Sequence, residues 1–156
     1  MAKEEVKKQS GSFQASCFYL GDALCGIDIN KVQEINKQIN YTVVPHSPDY
    51  VLGIMNLRGR IVTIIDFGKK LGLNRTKITE KSRIIIVNSK EEQIGLLVDR
   101  ITDVITGNWE ELAPPPANIK GIQGKYFLGV YKAKNNKLVA LLNIEDSLED
   151  EDGLNS

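Results

Sequence analysis

The sequence predicts an all-β chain that writes one small barrel unit twice, and three observations carry that prediction. Short runs rich in Val, Ile and Leu are broken about every eight to twelve residues by turn formers, the spacing of a barrel or sandwich. No long stretch holds helical periodicity. The chain also repeats itself: Gly26-Ile27-Asp28-Ile29-Asn30-Lys31-Val32-Gln33-Glu34-Ile35 aligns with Gly95-Leu96-Leu97-Val98-Asp99-Arg100-Ile101-Thr102-Asp103-Val104, and Pro45 falls opposite Pro114. Further on, Ile61-Val62-Thr63-Ile64-Ile65-Asp66 has the hydrophobic order of Leu138-Val139-Ala140-Leu141-Leu142-Asn143. A duplicated unit of this size is a supersecondary module, and two modules in one chain meet along a groove.

The elements follow in order. The first copy reads as strands over Phe13 to Leu20, Leu24 to Ile29, Val32 to Ile35, Tyr41 to Val44, Val51 to Leu57 and Arg60 to Ile65, with turns at Gly21-Asp22 and through Pro45 to Asp49. Asp66 can accept the free amides of a short helix running through Leu71. The second copy reads as strands over Arg83 to Asn88, Gln93 to Val98, Thr102 to Thr106, Lys125 to Lys132 and Lys137 to Leu142. Its turns are Ser89 to Glu92 and Asn135-Asn136, its stiff connection is Pro114-Pro115-Pro116, and a short helix closes it from Asn143 to about Glu149. The paired halves span about residues 17–75 and 82–148 of one domain at 13–150, with residues 1–12 and 151–156 as solvated tails. Five or so short strands per copy close a barrel too small for a deep cavity, so ligands bind outside or between the copies.

The 156 residues are enough for one ordinary domain, and 42% hydrophobic with 26% charged residues excludes wholesale disorder. Twenty basic residues balance twenty acidic ones, so no long-range field draws the chain to nucleic acid or an anionic membrane. Cys17 and Cys25 flank one hairpin in apolar surroundings and read as small core residues, a disulfide across the hairpin being the alternative. Met1 to Gln9 is charged and no apolar run approaches the ~20 residues of a membrane helix, which places the protein in the cytoplasm.

Reactive constellations do not emerge. His46 is the single histidine, in the rigid loop Pro45-His46-Ser47-Pro48, which rules out a multi-histidine zinc site and leaves a hydrolytic triad without partners. Neither GxGxxG nor GxxxxGK[ST] appears, and paired acids such as Asp22 and Asp28 or Asp99 and Asp103 punctuate turns. No metal, cofactor or enzymatic activity is expected. Pro114-Pro115-Pro116 reads as a connection rather than a polyproline ligand, and Trp109 as a buried anchor. What remains is the turn Asn56-Leu57-Arg58-Gly59-Arg60, which the second copy lacks. A hairpin does not need two flexible cations for its own sake, so Arg58 either pairs with Glu34 inside the chain or reaches a carboxylate on a partner.

At these residues the chain resembles the CheW family of chemotaxis coupling proteins, collinearly from about Ser12 to Leu148. The carrying motifs are Tyr19-Leu20-Gly21 leading to Gly26-Ile27-Asp28-Ile29 and Lys31-Val32-Gln33-Glu34-Ile35, Gly53-Ile54-Met55-Asn56-Leu57-Arg58-Gly59 running into Ile64-Ile65-Asp66, Gly95-Leu96-Leu97-Val98-Asp99 with Asp103-Val104, and Leu142-Asn143-Ile144-Glu145. Thr63 stands where the family often has proline, and Phe67 where leucine is commoner. With no receiver or kinase domain in the chain, the resemblance is to the free-standing coupling protein rather than a CheV-type hybrid or the terminal part of CheA.

The resemblance implies two intertwined SH3-like five-stranded barrels, each half ending in a short helix, acting as a non-enzymatic adaptor in a two-component signalling system. It implies two partners: the regulatory domain of the histidine kinase CheA and the helical cytoplasmic tip of chemoreceptors, which recruit the protein to arrays at the inner face of the membrane. Val32 and Val104, in near-equivalent places of the two copies, with Val98, Ile101 and Glu34, line the receptor groove on this reading. Arg58 braces Glu34, while Gly53 and Gly59 let the kinase approach the backbone. The competing reading is a small β-barrel nucleic-acid binder using Arg58, Arg60, Lys69 and Lys70, against which stand zero net charge and only 6% aromatic residues.

Overall fold

A computed structural model describes residues 11–149, so the expected tails lie outside the described residues except for Gly11 and Ser12, and Ser12 already opens the first strand. Strands run in the order β1 (Ser12–Leu20), β2 (Ala23–Asp28), β3 (Val32–Asn36), β4 (Val51–Leu57), β5 (Arg60–Asp66), β6 (Arg83–Ser89), β7 (Glu92–Val98), β8 (Arg100–Asn108), β9 (Asn118–Ile119), β10 (Ile122–Gln123), β11 (Phe127–Lys132) and β12 (Leu138–Leu142). Helix α1 (Phe67–Lys70) follows β5 and α2 (Ile144–Leu148) follows β12. The expected strand at Tyr41 to Val44 is absent; Thr42 makes only an isolated bridge to Ile54, because Pro45 and the glycine opposite leave a crossing of one residue pair.

The two five-stranded sheets show how the repeat is used. One has the order β11-β12-β2-β1-β8, the other β3-β6-β7-β5-β4. Aligning the copies makes β1, β2, β3, β4 and β5 equivalent to β6, β7, β8, β11 and β12, so each SH3-like barrel takes two strands from one copy and three from the other. The exchange holds at residue level. The parallel contact of β5 with β7 pairs Thr63 with Ile94 and Ile64 with Gly95, and that of β12 with β2 pairs Ala140 with Cys25 and Leu141 with Gly26. These are the same positions of the repeat.

Alternation along the strands divides the apolar residues among three cores. One barrel encloses Phe13, Ala15, Cys17, Tyr131, Val139 and Leu141. The other encloses Leu52, Val62, Ile64, Ile84, Ile86 and Leu97. The largest cluster lies between the barrels around Phe18, Phe67, Phe127, Ile85 and Leu96. Cys17 and Cys25 are both buried and unbridged, and they sit in different cores, because Cys25 is paired with Phe18 and so faces the side opposite to Cys17. Trp109 is only half-buried, its ring 4.9 Å from that of Phe13.

Both short helices start as the sequence predicts. The Asp66 carboxylate accepts from the Lys69 amide, and in the equivalent place the Asn143 Oδ1 accepts from Asp146. Asp66 is fully buried and also accepts from the amide and hydroxyl of Thr76, which ties down the loop after α1.

Candidate functional site

The β4–β5 hairpin has two residues in its turn, Arg58 and Gly59, both with positive φ (52° and 84°), the conformation whose twist suits antiparallel strands. Asn56 Oδ1 accepts the Gly59 N–H at 2.9 Å and locks the turn. The locked turn aims Arg58 back across the barrel, where its guanidinium donates to the Glu34 carboxylate on β3. Because β3 and β4 are the two ends of one sheet, this ion pair clasps the open edges of the barrel. The hydrogen bond from Arg58 to Glu34, and secondly the charge of Glu34, hold the guanidinium pKa above its ordinary value. Arg58 stays exposed, so the pair adds little stability and fixes geometry. Of the two roles left open for Arg58, the internal one is what the structure shows.

Gly53 and Gly59 serve different ends. Gly53 is buried, and a Cβ there would stand 2.2 Å from the Thr42 carbonyl oxygen, so the close approach it permits is to the chain's own crossing segment rather than to a partner. Its counterpart is Gly129, whose Cβ would meet the Ala113 oxygen at 2.5 Å, and the bridges Thr42–Ile54 and Ala113–Val130 match. By that register Thr42 corresponds to Ala113, which moves the counterpart of Pro45 from Pro114 to Pro116. Gly59 is exposed with no heavy atom within 4 Å of a built Cβ, so its glycine answers to φ alone.

The apolar site residues separate by burial. Val98 is fully buried in the core between the barrels and offers no side chain to a partner. Val32 and Ile101 are half-buried and lean on that same core. They are each other's counterparts, since Val32 pairs with Val87 and Ile101 with Phe18, which are themselves equivalent. Val104, 54% exposed, corresponds not to Val32 but to Ile35, which is 42% exposed and was missed in the sequence although it ends the first repeat motif. Each barrel therefore carries, along one edge strand, a half-buried branched residue, an acid and an exposed branched residue: Val32, Glu34 and Ile35 on β3, and Ile101, Asp103 and Val104 on β8. A surface pocket of about 530 Å³ beside β4, lined by Tyr41, Ile54, Met55, Leu57 and Ile61, adjoins the clasp, and one of about 540 Å³ including Val104 and Tyr131 lies in the equivalent place.

Among the described residues no group of three or more His, Cys, Asp or Glu comes together to hold a metal ion, and no helix is long and apolar enough to cross a membrane. Among the described residues none of the aromatic rings is among the exposed large hydrophobic residues.

Residues 14–152 match the family model described as a CheW-like domain. The chain is 30% identical over 143 residues to the chemotaxis protein CheW of Rhizobium meliloti, covering 92% of each, and 35% identical over 133 residues to that of Treponema pallidum, covering 83% of this chain and 78% of the relative. Its fold is similar to the crystal structure of the scaffolding protein TtCheW from Thermoanaerobacter tengcongensis, with a TM-score of 0.81 at 30% identity over 90% of this chain and 95% of that one.

Proposed function

The chain belongs to the CheW family of chemotaxis proteins, and from that premise we propose that it is a non-enzymatic adaptor coupling chemoreceptors to the histidine kinase CheA. The observation that carries the reading is the matched pair of apolar edges, Val32 with Ile35 and Ile101 with Val104, next to the Glu34–Arg58 clasp. Apolar side chains displayed in two equivalent places suit a helical receptor tip with its own apolar stripe, so Val32, Glu34, Ile101 and Val104 form the receptor groove while Val98 supports it from below. The clasped turn at Arg58 and Gly59 faces the regulatory domain of the kinase, with Gly53 holding the segment behind it.

With no reaction to run, the adaptor acts by binding some receptor and kinase conformations better than others, and its effect is limited to that difference in affinity. Several moderate interfaces become a stable array through effective concentration, which recruits a cytoplasmic protein to the inner face of the membrane.

The test is capture of the purified kinase regulatory domain and a receptor-tip fragment, separately and together. Arg58→Ala keeps the fold and weakens the three-component assembly; unchanged capture of both partners refutes the role of the clasp. Val104→Asp lowers receptor capture more than kinase capture, and equal loss of both contradicts the assignment of the groove.

A further inference from the structure

Asp99 is the single residue between β7 and β8, and there the chain leaves one five-stranded sheet for the other. The equivalent crossing, from β2 to β3, takes three residues, Ile29–Lys31, as one turn of 3₁₀ helix, and Asp28 caps it by accepting the Asn30 N–H at 2.9 Å. The second crossing has no such turn. It is tied instead to the end of the β1–β2 hairpin: the Asp99 carboxylate accepts the Gly21 N–H at 2.6 Å, and the Asp99 N–H donates to the Tyr19 carbonyl at 3.1 Å. An ionised acceptor makes the first of these the stronger kind of hydrogen bond. Arg100, the next residue, adds a hold by lying 4.2 Å over the Tyr19 ring.

The anchor matters because the backbone of Ile101 is held by little else. Strand β8 lies at the edge of its sheet, with β1 as its only neighbour there. Its ladder is interrupted close to the crossing: Ile101 pairs with Phe18 and Val104 with Ser16, so three steps along β8 stand against two along β1, the count of a β-bulge. Between Asp99 and that bulge stand two pairs, Arg100 with Tyr19 and Ile101 with Phe18. So short a piece of edge strand frays unless its end is anchored. Strand β3 has the same interruption after Val32, which pairs with Val87 while Glu34 pairs with Ile86. Behind Val32 stands the capped turn; behind Ile101 stands Asp99.

We propose that Asp99 is a positioning residue of the receptor groove, whose carboxylate, through the Gly21 N–H, fixes the start of β8 and with it the angle at which Ile101 meets a bound receptor tip. Asp99 touches no partner itself. It acts through Ile101, so the role holds only if the groove assigned above is the receptor site.

The experiment titrates a receptor-tip fragment, and separately the kinase regulatory domain, into the full chain carrying Asp99→Ala, Asp99→Asn or Ile101→Ala, each well below its melting midpoint, with amide NMR of the free chain alongside. Asp99→Ala moves the Gly21 amide proton upfield, weakens tip binding about fivefold or more and leaves kinase affinity within about twofold. Asp99→Asn, which still accepts the Gly21 N–H, recovers most of the tip affinity. A residue that served only stability would lower the melting temperature and leave both affinities unchanged; that result overturns the proposal, as does an unmoved Gly21 amide or an equal loss of both partners. If Asp99→Ala does not fold, Asp99→Glu, which carries the carboxylate one methylene further, takes its place, and tip affinity unchanged there overturns the proposal too. Weaker tip binding in Ile101→Ala but not in Asp99→Ala defeats the positioning role alone. Tip binding unchanged in Ile101→Ala removes the groove and the role together.

Discussion

Val98→Ala separates a groove residue from a core residue. Val98 is wholly buried among the residues that join the two barrels. Truncation removes two methyl-sized groups, about 1.6 kcal/mol of lost burial at ~0.8 kcal/mol each. If the site does not collapse, a void of roughly 50 Å³ adds about 1 kcal/mol. The sum, about 2.5 kcal/mol, lowers the melting temperature of a domain this size by roughly 5–10 °C. The assay is a urea or thermal melt followed by a receptor-tip titration well below the new midpoint. The variant binds the tip within about twofold of the parent, because the folded surface is the same. An unchanged melt with affinity reduced about tenfold or more refutes the reasoning and returns Val98 to the groove.

Gly53→Ala and Gly129→Ala each destabilise by about 1–3 kcal/mol through collision with a backbone oxygen, measured as a shifted urea midpoint. Gly59→Ala, limited to backbone strain of about 1 kcal/mol, is the comparison, and an equal or larger effect there defeats the close-approach account. Cutting the chain between Lys77 and Ile78 yields halves that do not fold separately but form one folded complex when mixed, read by circular dichroism, since each barrel needs strands from both. Burial, and then the charge of Asp103, push the Cys17 thiol from its ordinary 9.0 to about 11, and burial pushes Cys25 up as well. The native state thus keeps protons that the unfolded chain loses: the thiols do not weaken the fold below pH 9, and stability falls as pH rises from there through about 11. Ellman's reagent accordingly labels neither thiol in native protein at pH 8, and both in guanidinium chloride.

The sequence by itself determined most of the strands, the duplication and the cap residues, because these depend on short-range chemistry; it missed β9 and β10 and placed a strand at Tyr41 to Val44 that is only an isolated bridge. Strand β4 spans Val51–Leu57 as its apolar run implied, and Asp66 and Asn143 each cap the helix that follows them. The Arg58 turn was legible because arginine between two strands has no local use, although sequence left its acceptor open. Only the tertiary structure decided which copy supplies which strand, since a 2+3 exchange and two separate barrels bury the same alternating faces and contain the same local pairings. It alone put Val98 inside and Ile35 outside, because β7 lies in the middle of its sheet with Val98 turned onto the core between the barrels, whereas β3 is an edge strand with nothing laid over Ile35. Gly53 needed the crossing of Thr42, a contact between segments that no spacing along the chain predicts. Local order is written in neighbouring residues, whereas burial is a property of the assembled sheets.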